Sequence, residues 1–400
     1  MRLLRDKRDR HRGFVKQADS RLLVPFLVLA AALIAVAPAA AGELLHVGPK
    51  HELKTPSAAA KVARDGDTIE IEAGLYPADA AVWFQNRLTI RSAGGRAHLR
   101  ADGAQAEGKA IWVIKGANTT IEGIEFSGAK VTDRNGAGIR LEGPGLTVRN
   151  SYFHHNQNGI LAGSNLESDV VIEHSEFAHN GAGDGQSHGL YIGTVRSFTL
   201  RYSYVHHTIV GHLVKSRAIK SYITYNRIMD EQDGRASYAI DLPDGGLAFV
   251  MGNLIQQGPA NDNRTIVAYG AEGYKNPLNE LYFVSNTVVN DDPHGGRFIF
   301  IRNGADAVRI VNNLFSGPGE LLAGNADLRN NRRAAKGGFV DLEHFDYRLK
   351  RGAAGIGRGI DAGSAYGYVL RPAAEYRHPS QMTPRSTSGR LDLGALEYRE

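Results

Sequence analysis

Apolar and polar positions along this 400-residue chain follow a spaced pattern that returns about every two dozen residues. An apolar residue is followed three places on by Ser or Asn, and two places further by a large apolar residue. The pattern runs Ile121/Ile124/Phe126, Val148/Ser151/Phe153, Ile172/Ser175/Phe177, Leu200/Ser203/Val205, Ile223/Asn226/Ile228, Val250/Asn253/Ile255, Phe283/Asn286/Val288 and Ile310/Asn313/Phe315. Successive starts are 27, 24, 28, 23, 27, 33 and 27 residues apart. That interval is too irregular for a helical solenoid and too long for one hairpin. It fits one coil of a three-sided parallel β-helix, so the chain is expected to be all-β.

Stacked coils turn each repeated position into a column with rungs about 4.8 Å apart. The first and third positions then fill the bore with aliphatic and aromatic side chains. The middle column reads Ile, Ser, Ser, Ser, Asn, Asn, Asn, Asn. Stacked amides donate and accept along such a column, which matters because one unpaired buried polar group costs about 1–3 kcal/mol. A second strand follows in each coil, often opened by Gly: Gly138–Leu141, Gly159–Ala162, Gly189–Ile192 and Gly211–Val214. Glycine there is expected to permit the sharp corner between two sheets.

Near the start, Thr55 is placed to cap a short helix over 55–64, with Pro56 in its first turn. This helix is expected to cover the open N-terminal end of the bore. Residues 1–41 read as an export signal: a basic stretch from Arg2 to Arg21, the apolar run 22–36, then Ala39-Ala40-Ala41. The run is short for a membrane span of about 20 residues. An uncleaved anchor formed by 22–36 is the alternative. Periplasmic or secreted location follows, with the β-helix over 42–350 and a closing segment over 351–400. The formal charge of +5 belongs to the leader, which holds eight Lys/Arg against three Asp; the remainder balances 39 against 39. No global case for nucleic-acid binding survives. Cysteine is absent, which excludes disulfides, thiolate metal sites and thiol nucleophiles.

The run Arg64-Asp65-Gly66-Asp67-Thr68-Ile69, then Gly74-Leu75-Tyr76, then the coils, resembles the right-handed parallel β-helix proteins of the pectate-lyase-like superfamily. Tyr347-Arg348-Leu349, Gly359–Gly363 and Leu391–Glu397 resemble the closing segment of many exported members. The resemblance covers roughly 45–400. It implies a polysaccharide-handling fold shared by lyases, epimerases, glycosidases and non-catalytic members, and it selects neither substrate nor reaction.

Chemistry is expected where polar residues cluster on an outer face. His212-Leu213-Val214-Lys215-Ser216-Arg217 would project Lys215 and Arg217 from one side, about 7 Å apart. His188 and Tyr191 come from the preceding coil, and Tyr238, Asp241 and Asp244 from the next. β-Elimination on a uronate polymer needs a base, a cation for the carboxylate and an acid for the leaving oxygen. Lys215 is the candidate base, since a neighbouring cation disfavours ammonium. Arg217 is the candidate carboxylate fork. His212, His188 or Tyr191 would supply the acid, and Tyr191, Asp241 and Tyr238 would line the groove. The resemblance adds that β-helix lyases use Lys, Arg or His on such a face, often with calcium. Asp230, Asp241 and Asp244 are the candidate calcium ligands, although no DxDxDG loop is present. A column two residues past the third core position reads His155, His179, His207, Asp230, Gln257, Asn290. It is either a corner stack of imidazoles or a metal or proton-shuttle site, the corner stack being preferred.

The favoured function is therefore an exported lyase or epimerase acting on an acidic, uronate-containing glycan. A hydrolase would need two carboxylates about 5–9.5 Å apart, such as Asp241 with Asp244 or Asp230. A non-catalytic glycan-binding solenoid is the rival from another class. A register slip of one residue would turn Lys215 inward and expose Val214.

Overall fold

A computed structural model describes residues 42–386 and 389–399. The expected signal segment, 1–41, lies outside the described residues. The chain winds as a right-handed parallel β-helix of about ten turns. Each coil contributes three strands, for example Asn165–Glu173 to the first wall, Glu176–Ala178 to the second and Leu190–Ile192 to the third. The third wall is a ten-stranded sheet running from Ala81–Trp83 to Glu320–Ala323.

The stacking register is the one the spacing predicts. Ile121, Val148, Ile172, Leu200, Ile223, Val250, Phe283 and Ile310 pair successively along the first wall. Phe126, Phe153, Phe177, Val205, Ile228, Ile255, Val288 and Phe315 do so along the second. All are buried. Phe126, Phe153 and Phe177 lie face to face at 4.9 and 4.8 Å. Shared burial between coils replaces the self-contained core that no single coil could form.

The polar column is a continuous hydrogen-bond ladder. Each backbone N–H donates to the side-chain oxygen one coil on: Ser151 to Ser175, Ser175 to Ser203, Ser203 to Asn226, Asn226 to Asn253, Asn253 to Asn286, Asn286 to Asn313. The column extends one rung beyond the sequence reading, from Asn313 to Asn331. The residue before each rung takes a left-handed conformation, as at Asn150, His174, Tyr202, Tyr225, Gly252, Ser285, Asn312 and Asn330. That single reversal bends the chain from first wall to second and aims the next side chain inward.

The corner glycines act by a different route from the expected one. Gly138, Gly159, Gly189 and Gly211 are absent from the left-handed region. They are small because the coils touch there. A Cβ on Gly159 would meet Gly189 O at 2.5 Å and Phe177 Cδ1 at 2.7 Å. Gly159→Ala is expected to lower stability by about 1–3 kcal/mol through overpacking, read by urea denaturation.

The helix spans Pro56–Val62, with Thr55 Oγ1 accepting from Ala58 N at 3.3 Å. It packs against Leu44–Val47 and Ala81–Trp83. The C-terminal segment turns back over the outside of the first two walls. Tyr368 covers Tyr222 and Phe249, Ser380 bonds Ser175 O, and Ala395 N donates to Thr287. Apolar outward residues such as Leu254 and Leu314 are buried by this tail. Among the described residues no helix is long and apolar enough to cross a membrane.

Candidate functional site

The outward column of the third wall reads Arg140, Leu161, Tyr191, Lys215, Asp241, Ala268, Phe300 in register. Val214 and Ile240 point into the bore and are fully buried, so Lys215 and Asp241 face outward. Lys215 lies in the strand Val214–Ser216, and Arg217 follows directly.

These side chains form one charged network across three coils. Lys215 Nζ is 3.3 Å from Asp241 Oδ2 and donates to Glu272 Oε1 at 3.0 Å. Arg217 donates to Tyr191 Oη at 3.0 Å, to Asp244 Oδ1 at 2.7 Å and to Glu272 Oε2 at 2.7 Å. Lys275 also donates to Asp244 Oδ1, at 2.8 Å. Glu272 therefore lies with one carboxylate oxygen on each cation. This holds its carboxyl down at about 2 even though burial opposes the shift.

Asp241 is the buried member, with its side chain 2% exposed. Burial pushes its carboxyl up to about 6, against the pull of Lys215. His212 Nε2 lies 3.3 Å from Asp241 Oδ2, while Asp241 Oδ1 has no partner. Asp244 is likewise buried, beneath Arg217 and Lys275.

The two histidines serve the wall itself. His188 N donates to Asn158 Oδ1, His212 N to His188 Nδ1, and Tyr238 N to His212 Nδ1. An imidazole nitrogen that accepts a backbone N–H carries no proton. The rings stack at 4.8 Å, and Tyr238 tilts against His212 at the same separation. Burial, with the neighbouring cations and His188, pushes His188 down to about 3 and His212 to about 2. Both rings are neutral parts of a second ladder, and His212 reaches the cluster only through Asp241.

Glu272 and Lys275 escaped the sequence reading. They come from the loop after the strand Thr265–Tyr269, which docks through Glu272 N to Pro243 O and Lys275 N to Asp244 O. Only the run Glu272-Gly273-Tyr274-Lys275, charged and glycine-containing, hinted at a structured loop. Asp230 is separate from the cluster: it sits at the corner after Arg227–Met229, accepts from Ala236 N, and is pushed up to about 8 by burial. Asp230, Asp241 and Asp244 thus do not converge, and the last two already face ammonium and guanidinium groups. A divalent cation would need donors that this arrangement has already committed. The corner histidines do line up coil on coil, with tilted rings, His155 over His179 at 5.2 Å and His179 over His207 at 4.8 Å. A cavity of about 1050 Å³ lies elsewhere, between the second wall and the tail, and is lined by Tyr204, Phe345, Tyr376 and His378.

A family described as right handed beta helix region matches residues 89–255. The crystal structure of pectate lyase Pel9A superposes with a TM-score of 0.62 at 15% identity, over 90% of this chain and 97% of that one. The fold is thus that of a right-handed parallel β-helix, shared with pectate lyase Pel9A. ORF18 of Geobacillus virus E2 matches this β-helix with a TM-score of 0.44 at 13% identity, over 67% of this chain and 53% of that one. An alginate lyase from Paenibacillus sp. str. FPU-7 matches with a TM-score of 0.40 at 16% identity, over 73% and 99%. No curated protein matches the chain. At these identities the likeness is one of fold, and what the β-helix protein does has to be argued from its own side chains.

Proposed function

We propose that this β-helix protein is exported, binds an acidic, uronate-containing polysaccharide along its third wall, and acts on it by β-elimination. The observation that carries the reading is the Glu272 carboxylate shared between Lys215 Nζ and Arg217 Nη2. The wall is thereby a ready-made receptor for a carboxylate, and a uronate that displaces Glu272 would meet the same two donors. The likeness to pectate lyase Pel9A supports a polysaccharide as the partner.

In this reading Lys215 and Arg217 neutralise the uronate carboxylate as charge develops at C5. Asp241 positions Lys215 from below. Lys215 is then the electrophilic partner and not the base that its sequence neighbours suggest, because two carboxylates hold its amine. The proton from C5 passes to a group at the rim. Tyr191, whose Oη accepts from Arg217 Nε, is the group available, since Lys275 is itself an ammonium held by Asp244. The C4–O bond breaks, a C4–C5 double bond forms, and the leaving oxygen takes a proton. A hydrolase is disfavoured because the Asp241 carboxylate is sealed beneath its neighbours.

Incubation with alginate, pectate, glucuronan and glycosaminoglycans tests this. New ultraviolet absorbance from an unsaturated uronate is expected with one of them, with Arg217→Ala lowering the rate by at least about tenfold. Glu272→Gln is expected to tighten binding of the same polymer, since the internal competitor is removed. Altered sugar composition without chain shortening would point to an epimerase, and reducing ends without absorbance to a hydrolase. A binding-only solenoid is the second reading. It is favoured by the internal charge matching of Lys215 and Arg217, and polymer binding without any of these products would establish it.

A further inference from the structure

The second wall carries a group of side chains that the proposed glycan chemistry does not use. We propose that His179, His206 and His207, at the corner leaving this wall, form a binding site for a divalent transition metal of the zinc class. Ligand nitrogens of the three rings lie within 4.8 Å of one another. His206 ends the strand Tyr204–His206, and His207 and His179 occupy equivalent corner positions one coil apart, at φ 53° and 51°.

Hydrogen bonding orients two of the rings. His206 Nε2 is 3.2 Å from Glu176 Oε1, and His207 Nε2 is 3.0 Å from Asp233 Oδ1. An ionised carboxylate only accepts, so each Nε2 carries the proton and each Nδ1 presents a lone pair. Those two Nδ1 atoms face each other at 2.6 Å. Two bare lone pairs at that separation repel unless a positive charge lies between them. A shared proton would leave one ring an imidazolium beside two further imidazoles. A metal ion meets the same demand with neutral rings. The carboxylate–histidine–metal relay it would create is a common way of fixing the tautomer and the ring orientation.

His179 supplies the third ring. It lies tilted over His207 at 4.8 Å and meets His206 edge-on at 5.8 Å. Three neutral imidazoles suit zinc and its neighbours, with metal–nitrogen bonds of about 2.0–2.1 Å and a fourth position left open. Binding requires His206 and His207 to part slightly and His179 to swing in. At the other donor cluster, His98, Glu125 and His154, His154 Nδ1 also faces His155 Nδ1, at 2.8 Å, but a carboxylate holds only one ring of that pair, Glu125 on His154 Nε2.

The test uses the full chain purified without an affinity tag and stripped by chelator. Cobalt(II) titration is expected to give the visible bands of a low-symmetry, imidazole-bound ion at one equivalent, and zinc is expected to displace it. Glu176→Gln should weaken zinc about tenfold by calorimetry, as loss of an orienting carboxylate does. His207→Asn should weaken it at least as much while keeping a residue that accepts the left-handed backbone. Absence of the cobalt bands in the unaltered chain would overturn the proposal without recourse to any variant. Bands and affinity unchanged in His207→Asn, with an intact unfolding transition, would overturn it equally.

Discussion

Asn253→Ala is expected to lower the unfolding free energy by about 3–5 kcal/mol, seen as a large drop in urea midpoint. Asn253 Oδ1 accepts from both Asn226 N at 2.9 Å and Asn226 Nδ2 at 3.0 Å. Its own Nδ2 donates to Ile223 O at 2.8 Å and to Asn286 Oδ1 at 3.0 Å. Alanine leaves a buried amide, a buried carbonyl and two amide side chains short of partners, at about 1–3 kcal/mol for each group left wholly unsatisfied. It also opens a void in a fully buried position. Asn253→Ser should cost clearly less. Ser151, Ser175 and Ser203 already occupy this column, each accepting from the coil before and donating to a carbonyl two residues back. Equal losses for Ala and Ser would mean that packing volume, and not the ladder, holds the coils.

Lys215→Met is expected to destabilise the chain by about 3–5 kcal/mol at pH 8 and by much less at pH 5. The loss strands Asp241, whose buried carboxyl already sits at about 6 with the lysine present. Without the ammonium its folded value rises further above the ordinary carboxylate value of about 3.9. A group raised on folding contributes stability that is present below its unfolded value and lost as pH climbs through its folded one. The variant therefore falls behind the unaltered chain as pH rises from about 5 to 8. Differences taken at each pH cancel the acid loss from His179; for His188 and His212 Lys215 is one cause of the depression, so its removal spares the variant part of that acid loss and acts in the same direction. Lys215→Met/Asp241→Asn should recover most of the stability at pH 8, because no charge is then buried without a partner. Equal destabilisation at both pH values would show that Asp241 is not the stranded charge. Glu272 adds little to this effect, since it is 43% exposed and keeps Arg217.

Much of the architecture was legible because a solenoid repeats its demands. Every coil must bury the same two positions and satisfy the same corner, so Ile172, Ser175 and Phe177 announce their neighbours at fixed offsets. The outward aspect of Lys215 was expected but open to a slip of one residue, and the fully buried Val214 beside it decides the matter. The glycines were legible as necessary but not for their cause: close approach of coils is a relation between residues tens of positions apart, as between Gly159 and Phe177. His188 and His212 looked like surface acids because an imidazole's role depends on which nitrogen meets a backbone N–H.

By itself, then, the sequence determined the winding and the register of the first two walls, because periodic burial leaves one alignment of coils that hides their apolar positions; on the third wall a slip of one residue around Lys215 stayed open. Only the tertiary structure decided which charges meet. Glu272 reaches Lys215 across 57 residues through a loop docked by backbone bonds to Pro243 and Asp244, contacts that carry no periodic signature. The same holds for the opposed rings of His206 and His207, set by the Glu176 and Asp233 carboxylates of adjoining coils, and for the tail that covers two walls and leaves the charged cluster on the third.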